Sequence, residues 1–419
     1  MTRNNIYATV VMMLVSLVSL SGRAQKGEFD WPRWRGPEGD GISLETDWNP
    51  EALAGDPAIV WKQNIGMGYS NVVIKDNHLY TMGSTEDGTT VTCLEADTGR
   101  EIWRFPFEGR FETNSTPTTD GEFVYAINND GILVCLQARN GKLRWKRDLV
   151  SECGLVNTFY GYGASPVIEG DLILLTANTS GLALNKKTGE VVWDSEKPPE
   201  NADWRGRSTG TDYSTPVAYD YEGKRYAVLS SYVGIHGVDI ETGQLLWLYK
   251  WEDFILHVTD PLIFDNKVLL TRFKAGGSIL LDIGGGVAEV LWKNKNMSSD
   301  IGSPVLIDGY IYGVEGGVEM HRCFLRCISA ESGELMWEED LGKEAVSLIG
   351  AASKLIILED NGTLHIAQAS PISYQEISSC DVLEGKKTKR LFWTCPVLCN
   401  GKIYCRNTVG QLICIDMSK

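Results

Sequence analysis

The residues best suited to acid–base chemistry in this chain are His257, Asp260 and Asp300. A histidine beside a carboxylate can exchange a proton with a substrate near neutral pH. Of the five histidines in the 419 residues, only His257 falls in a segment that leads into the first strand of a repeat unit. We therefore consider His257 with Asp260 or Asp300 as an acid–base pair. We can assign no pair of carboxylates to glycoside hydrolysis.

The ten cysteines indicate packing more than metal chemistry. Four recur at one position of the repeat, where a buried thiol acts as a small hydrophobe: Cys93, Cys135, Cys327 and Cys414. The pair Cys323 and Cys327 lacks the histidine or the second cysteine pair that a zinc site needs. Gly284–Gly286 precedes no predicted helix, so it cannot offer a helix N-terminus to phosphate. We predict no metal ligand, and whether a disulfide forms stays open.

Tryptophans at a regular spacing show what must position these side chains. They stand at Trp61, Trp103, Trp145, Trp193, Trp247, Trp292 and Trp337, at intervals of 42, 42, 48, 54, 45 and 45 residues. Most follow a glycine by four positions, as in Gly99-Arg-Glu-Ile-Trp103. Self-similarity at this period marks a propeller or a solenoid.

Each unit reads as four short antiparallel strands joined by tight turns, which is the pattern of a propeller blade. The six tryptophan intervals give six blades. A seventh, without a tryptophan strand, runs from Glu338 to about Leu383, and an eighth from Phe392 to Asp416 has only three strands. The strand Ala58–Ile65 can supply the fourth. The sequence therefore predicts an all-β, eight-bladed propeller over residues 58–419, closed by an N-terminal strand in the C-terminal blade. Residues 25–57 are expected to pack on it.

The frame Glu95-Ala-Asp97-Thr98-Gly99-Arg-Glu-Ile-Trp103 resembles the PQQ-like repeat of quinoprotein alcohol dehydrogenases. The opening Trp31-Pro-Arg-Trp34-Arg-Gly-Pro37 is similar to that of secreted bacterial PQQ-like propellers. In size and repeat economy the chain is similar to BamB, a propeller lipoprotein of outer-membrane assembly, although it lacks a lipid-acceptor cysteine. The resemblance implies a propeller in which each tryptophan packs one blade on the next. The vicinal Cys-Cys pair of the dehydrogenases is absent, and no calcium ligand or catalytic aspartate can be assigned by motif.

The first strand of every blade lines the central channel, so polar and aromatic residues before these strands should converge on one mouth. This reasoning predicts a ligand-binding set, with no catalytic member assigned: Tyr69, Asn71, Asn114, Tyr162, Tyr213, His257, Asp260, Asp300 and Trp393. The alternative is that these side chains only cap strands and order water. The long insertion Glu196–Tyr213 could form a lid or a partner surface.

The N-terminus predicts export. Arg3, an apolar run from Ile6 to Leu20 and the small residues before Gln25 make residues 1–24 a signal peptide. The alternative is a retained membrane anchor, although this run is shorter than the roughly 20 residues that span a bilayer. The net charge of −16 makes nucleic acid an unsuitable partner. No other segment is long and apolar enough to cross a membrane, so we expect a periplasmic or secreted protein.

Three function classes follow from the sequence, of which the third, a carbohydrate-active or other hydrolytic propeller, lacks an assignable carboxylate pair. The first is a non-enzymatic module that binds a protein or a small molecule at the channel mouth. The second is a quinoprotein-type alcohol or sugar dehydrogenase that uses pyrroloquinoline quinone (PQQ) with Ca²⁺.

Overall fold

Eight sheets follow one another along the chain and form the blades of a ring. Each blade has four antiparallel strands, and one of them gains a fifth, parallel strand from the N-terminal segment. The computed structural model describes residues 29–418 except 87, 110–112, 156–159, 197–212, 232–233, 251–257, 273–275, 300, 318–321, 342–345 and 384–392. The predicted signal peptide lies outside the described residues. Within them, no helix is long and apolar enough to cross a bilayer.

The N-terminal segment contributes two strands, β1 (Ile42–Ser43) and β2 (Ile59–Asn64). Blades 1 and 2 contain β3 (Val73–Lys75), β4 (His78–Thr85), β5 (Gly88–Glu95), β6 (Glu101–Phe107), β7 (Thr118–Thr119), β8 (Phe123–Ile127), β9 (Ile132–Gln137) and β10 (Leu143–Asp148). The short helix α1 (Leu149–Cys153) follows, with Asp148 as its N-cap. Blades 3 and 4 contain β11 (Val167–Glu169), β12 (Leu172–Leu175), β13 (Leu182–Asn185), β14 (Val191–Asp194), β15 (Val217–Tyr221), β16 (Lys224–Ser230), β17 (Gly234–Asp239) and β18 (Leu245–Lys250).

The second half of the ring repeats the same order. Blades 5 and 6 contain β19 (Leu262–Phe264), β20 (Lys267–Arg272), β21 (Gly277–Asp282), β22 (Glu289–Asn294), β23 (Val305–Ile307), β24 (Tyr310–Gly317), β25 (Arg322–Ser329) and β26 (Leu335–Asp340). Blades 7 and 8 contain β27 (Val346–Ala351), β28 (Lys354–Glu359), β29 (Thr363–Gln368), β30 (Glu376–Asp381), β31 (Val397–Cys399), β32 (Lys402–Arg406) and β33 (Gln411–Asp416).

The ring closes as the sequence predicts. β2 pairs antiparallel with β33, so that Trp61 lies opposite Cys414 and the last blade receives its fourth strand from the N-terminus. Strands from both ends of the chain thus complete the last blade and close the ring. The prediction of an eight-bladed all-β propeller is confirmed.

The Gly-x-x-x-Trp repeat joins each blade to its neighbour. The indole of Trp61 donates to the carbonyl of Ala96 at 2.9 Å, and that of Trp103 donates to Ala138 at 2.7 Å. Gly99 lies under the ring of Trp61, and a Cβ there would come within 2.6 Å of the indole. Its backbone φ of +70° also favours glycine. Five of the seven repeat tryptophans dock in this way on the glycine turn of the following blade.

Two tryptophans depart from this arrangement. The indole of Trp337 donates to the carbonyl of Ser370 at 2.7 Å, in a turn of blade 7 that has no glycine. Blade 5 has Gly284–Gly286 in place of the usual turn, and the indole of Trp247 donates instead to the hydroxyl of Tyr219 at 3.0 Å. The ring of Trp247 then lies over Gly237 of its own blade.

The recurrent cysteines lie in the centre of cross-strand rows in four blades. In blade 1, Cys93 pairs with Tyr80 on one side and with Trp103 on the other. The same row recurs as Tyr125–Cys135–Trp145, Tyr312–Cys327–Trp337 and Tyr404–Cys414–Trp61. Burial raises the pKa of the Cys135 thiol to about 12, so it stays protonated and inert. All ten cysteines are described, and none forms a disulfide.

Candidate binding site at the channel mouth

A belt of hydrogen bonds joins the innermost strands around the channel. Equivalent residues of successive blades, most of them followed by proline, form this belt: Asn71, Thr116, Ser165, Thr215, Asp260, Ser303, Leu348 and Cys395. The backbone N–H of one residue donates to the side chain of the next, from Asn71 to Thr116, Thr116 to Ser165, Ser165 to Thr215, Thr215 to Asp260 and Asp260 to Ser303. These short polar side chains satisfy backbone donors that would otherwise be buried without acceptors.

Two of the predicted binding residues, Asn71 and Asp260, belong to this belt. The Asn71 amide also donates to the carbonyl of Cys395 at 2.9 Å, which joins blades 1 and 8. The Asp260 carboxylate accepts from the Thr215 N–H at 2.7 Å and from the Ser303 hydroxyl at 3.2 Å. Both side chains are buried. The structure places them inside the channel wall, and a ligand-binding role for them stays a prediction.

The N-terminal segment from Asp30 to Glu45 lies across one end of the channel and contacts the blades in chain order. Asp30 pairs with Lys75 of blade 1 at 3.0 Å, Pro32 accepts from Thr119 of blade 2, and Arg33 faces Glu169 of blade 3 at 3.5 Å. Further contacts reach blades 5, 6, 7 and 8 through Trp34 to Asp260, Arg35 to Pro304, β1 to β27 and Glu45 to Gly401.

Trp34 and Arg35 connect this segment to the hydrogen-bond belt. Its indole donates to Asp260 at 2.6 Å, and the Arg35 guanidinium lies 3.9 Å from the same carboxylate. Burial raises the pKa of Asp260, while Arg35 and the hydrogen-bond donors lower it. Asp260, the single carboxylate of the belt, is therefore engaged by Trp34 and Arg35 of the N-terminal segment.

The opposite mouth begins two residues before the belt, where each innermost strand starts. The described residues at this position are Tyr69, Asn114, Gly163, Tyr213, Val258, Ile301, Val346 and Trp393. None of these side chains is charged. At this position blades 8, 1 and 4 carry an aromatic ring, and blades 5 to 7 carry an aliphatic side chain.

The aromatic side of the mouth is held by mutual contacts. The rings of Tyr69 and Trp393 stack with centroids 4.8 Å apart and planes 27° apart. Asn114 donates to the carbonyl of Tyr160 at 2.8 Å, and the Tyr213 hydroxyl accepts from the Tyr160 N–H at 3.1 Å. Tyr160 itself is 58% exposed. The structure thus brings four predicted residues, Tyr69, Asn114, Tyr213 and Trp393, to one mouth, together with Tyr160.

The other predicted site residues have different positions. Tyr162 is fully buried within a hydrophobic cluster between blades 2 and 3, and its hydroxyl has no partner among the described residues. Its role in ligand binding stays a prediction. His257 and Asp300 lie outside the described residues, as does most of the insertion Glu196–Tyr213.

Arg406 is a site residue that the sequence reasoning missed. Its guanidinium is fully buried next to the mouth and donates to the carbonyls of Ser70, Met82 at 2.8 Å and Gly68 at 3.1 Å. Burial lowers its pKa to about 9, so the group is still charged at neutral pH. These hydrogen bonds fix the backbone between β2 and β3, which leads from the closing strand into blade 1. One arginine in a strand of the last blade gave no signal of this role.

The described residues do not fit a calcium-bound quinone. Calcium takes six to eight oxygen ligands, usually with several carboxylates. In the described part of the chain no group of three His, Cys, Asp or Glu side chains could hold a metal ion. Asp260, the one carboxylate of the belt, is engaged by Trp34, Thr215 and Ser303. We therefore derive no redox step for this site.

The sequence of this chain matches a family model and several characterised proteins. A family model described as "Outer membrane protein assembly factor BamB" matches residues 52–148 and 113–322, which together exceed half of the chain. The chain belongs to this family. A BamB of Yersinia pestis is 22% identical over 371 residues, which are 85% of this chain and 77% of that protein. The family resemblance predicted from the repeat is confirmed.

Solved structures share the fold. BamB from Moraxella catarrhalis superposes with a TM-score of 0.64 at 16% identity and covers 86% of this chain and 100% of its own. Quinohemoprotein alcohol dehydrogenase from Comamonas testosteroni gives a TM-score of 0.70 at 13% identity, over 93% of this chain and 81% of its own. At these identities the likeness concerns the propeller fold alone.

Proposed function

We propose that this chain is an exported, non-enzymatic propeller that binds a protein partner at the channel mouth, in the manner of an outer membrane protein assembly factor. Residues 1–24 direct export, and the remaining chain acts in the periplasm or outside the cell. Its similarity to outer membrane protein assembly factors supports a role in assembly. The proposal includes no bound quinone and no calcium.

The observation that carries the proposal is the difference between the two ends of the channel. One end is covered by Asp30–Glu45, with Trp34 bonded to Asp260. The other presents Tyr69, Trp393 and the exposed Tyr160. Tyrosine and tryptophan are enriched at the energetic centres of protein interfaces, because each buries a large rigid surface at a small entropic cost.

The absence of charge at the described mouth positions narrows the kind of partner. Tyr69, Asn114, Tyr213 and Trp393 offer ring faces, one amide and two phenol hydroxyls. Such groups bind the backbone and the apolar side chains of a peptide segment better than a phosphate or a carboxylate. We therefore propose that the mouth takes an uncharged, exposed segment of the partner.

Binding by mouth variants tests the proposal. The mature chain, immobilised in the presence of a chelator, is incubated with an envelope extract of its own organism, and the captured partner is identified and then titrated in purified form. Tyr160→Ala and Trp393→Ala should each weaken its affinity at least tenfold, because truncation of a hot-spot residue costs about 2 kcal/mol or more.

Tyr221→Ala is the matched control. Tyr221 ends β15 at a turn between the first and second strands of blade 4, on the face away from the mouth. This variant should bind as tightly as the unchanged chain. Equal loss of affinity in all three variants, or unchanged affinity in both mouth variants, would refute binding at the mouth.

A further inference from the structure

The outer strand of blade 7 lacks the tryptophan that docks its neighbours. Its register shifts after the pair Ile366–Ser378, as that of blade 1 shifts after Cys93–Trp103. Ser378 therefore stands where a tryptophan stands in the preceding blades. A tryptophan there would have no glycine turn to pack on, because blade 8 receives its fourth strand from the N-terminus and has no turn between its third and fourth strands.

The docking carbonyl of blade 8 is nevertheless present. In blade 1, Ala96 donates its N–H to Asn77 and its carbonyl accepts the indole of Trp61. In blade 8, Met417 donates its N–H to Gly401 in the same way. The carbonyl of Met417 accepts from the backbone N–H of Asn49 at 2.6 Å. A residue of the N-terminal segment thus takes the bond that an indole takes elsewhere.

The same segment also meets blade 7. The hydroxyl of Ser378 donates to the carbonyl of Pro50 at 2.5 Å. Leu53 is fully buried in the hydrophobic cluster that runs through blades 7, 8 and 1, and Trp48 packs against this cluster. Asn49 accepts from the N–H of Glu51 at 2.9 Å through its side chain, which fixes the local turn.

We propose that residues 48–53 are a clasp that replaces the missing tryptophan and fastens blade 7 to blade 8. The clasp supplies the three parts of a docked tryptophan: a buried apolar side chain in Leu53, a donor to the docking carbonyl in Asn49, and a contact with the outer strand at Ser378. It acts at the one seam where the connectivity of the ring removes the repeat's own device. This inference is independent of what the mouth binds.

Hydrogen exchange measured by mass spectrometry on the full chain tests the clasp. Leu53→Ala should speed exchange at least tenfold in β30 and in residues 411–417, because both elements lose the segment that holds them together. Exchange in blades 2 to 5 should stay unchanged. Ser378→Ala, which removes only one hydrogen bond, should give a smaller change at the same two elements and serves if Leu53→Ala fails to fold.

Leu136→Ala is the matched control, because Leu136 is equally buried in β9 of blade 2. It should speed exchange around blade 2 and leave β30 and residues 411–417 unchanged. The proposal would be overturned if neither Leu53→Ala nor Ser378→Ala sped exchange in β30 and residues 411–417. It would also be overturned if both variants sped exchange evenly in all blades.

Discussion

Buried charged side chains are stabilised in two different ways. Among the described residues, Arg406 has no carboxylate as a hydrogen-bond partner and is held by backbone carbonyls before and in blade 1 and by Thr81. His365 lies instead between two carboxylates, with Nδ1 at 2.7 Å from Glu376 and Nε2 at 3.1 Å from Glu359. The first arrangement depends little on pH near neutrality, whereas the second contains a group that titrates there.

The His365 network predicts a pH dependence of stability. Burial lowers the pKa of His365, but the hydrogen bonds to Glu359 and Glu376 outweigh burial and leave it raised above 6.5. The folded chain thus binds this proton more tightly than the unfolded chain. The stabilisation is complete below pH 6.5 and is lost as the pH rises through the folded-state pKa. Thermal unfolding of His365→Gln should therefore differ more from the unchanged chain at about pH 5.5 than at about pH 9.

The control for this prediction is His78→Gln, since the described side chain of His78 contacts only its own turn and the Tyr80 ring. Its effect on the melting temperature should be small and similar at the two pH values. A His365→Gln effect that is equal at both pH values would show that the network does not titrate as the geometry predicts.

Elements of this molecule are joined by the contact of a tryptophan with a glycine turn. Gly141 has a φ of +68°, and a Cβ there would lie 2.6 Å from the ring of Trp103. Gly223 has a similar φ of +75°, but nothing lies within 4 Å of the Cβ position. Comparison of Gly141 with Gly223 therefore distinguishes two roles of glycine, which are to adopt a positive φ and to leave room for the tryptophan of the neighbouring blade.

Gly141→Ala should destabilise the chain more than Gly223→Ala. Both variants place a Cβ in the left-handed region, at a cost of about 1–2 kcal/mol. Only Gly141→Ala also pushes the indole of the preceding blade from its seat, which adds about 1–3 kcal/mol as overpacking. Chemical denaturation measures both free energies of unfolding. Equal losses would mean that the glycine serves the turn alone.

The repeat could be predicted from the sequence because its signals are local. Gly99 and Trp103 stand four residues apart, and the recurrence of this pair sets the number of blades and the closing strand near Trp61. The path of the N-terminal segment could not be predicted in the same way. Trp34 and Asp260 are 226 residues apart, and no local pattern couples an indole to that carboxylate.

The sequence repeat also predicted which end of the channel some of the candidate residues would share. The repeat frame brought Tyr69, Asn114, Tyr213 and Trp393 to one mouth, because the first strands of all blades start at the same end. It could not distinguish the outward mouth position from the buried belt position two residues later, where Asn71 and Asp260 lie. That difference depends on the contact of the belt residue with the neighbouring blade, which a single unit does not encode.

The whole molecule is a ring with two unlike ends. The N-terminal segment covers one end and contacts seven blades, and the uncharged aromatic residues occupy the other. The net charge of −16 is carried outside the described mouth positions. A partner that enters the mouth therefore meets a local surface very different from the acidic exterior, which favours a specific contact over a general electrostatic one.

Site-specific photocrosslinking is the direct test of whether a protein partner binds at the channel mouth. A photoreactive amino acid is placed at position 160 in the mouth or at position 221 on the opposite face, in the full chain expressed in its own organism. Binding at the mouth predicts a discrete crosslink to one protein partner from position 160 and none from position 221. A crosslink to that partner from position 221 alone would contradict binding at the mouth.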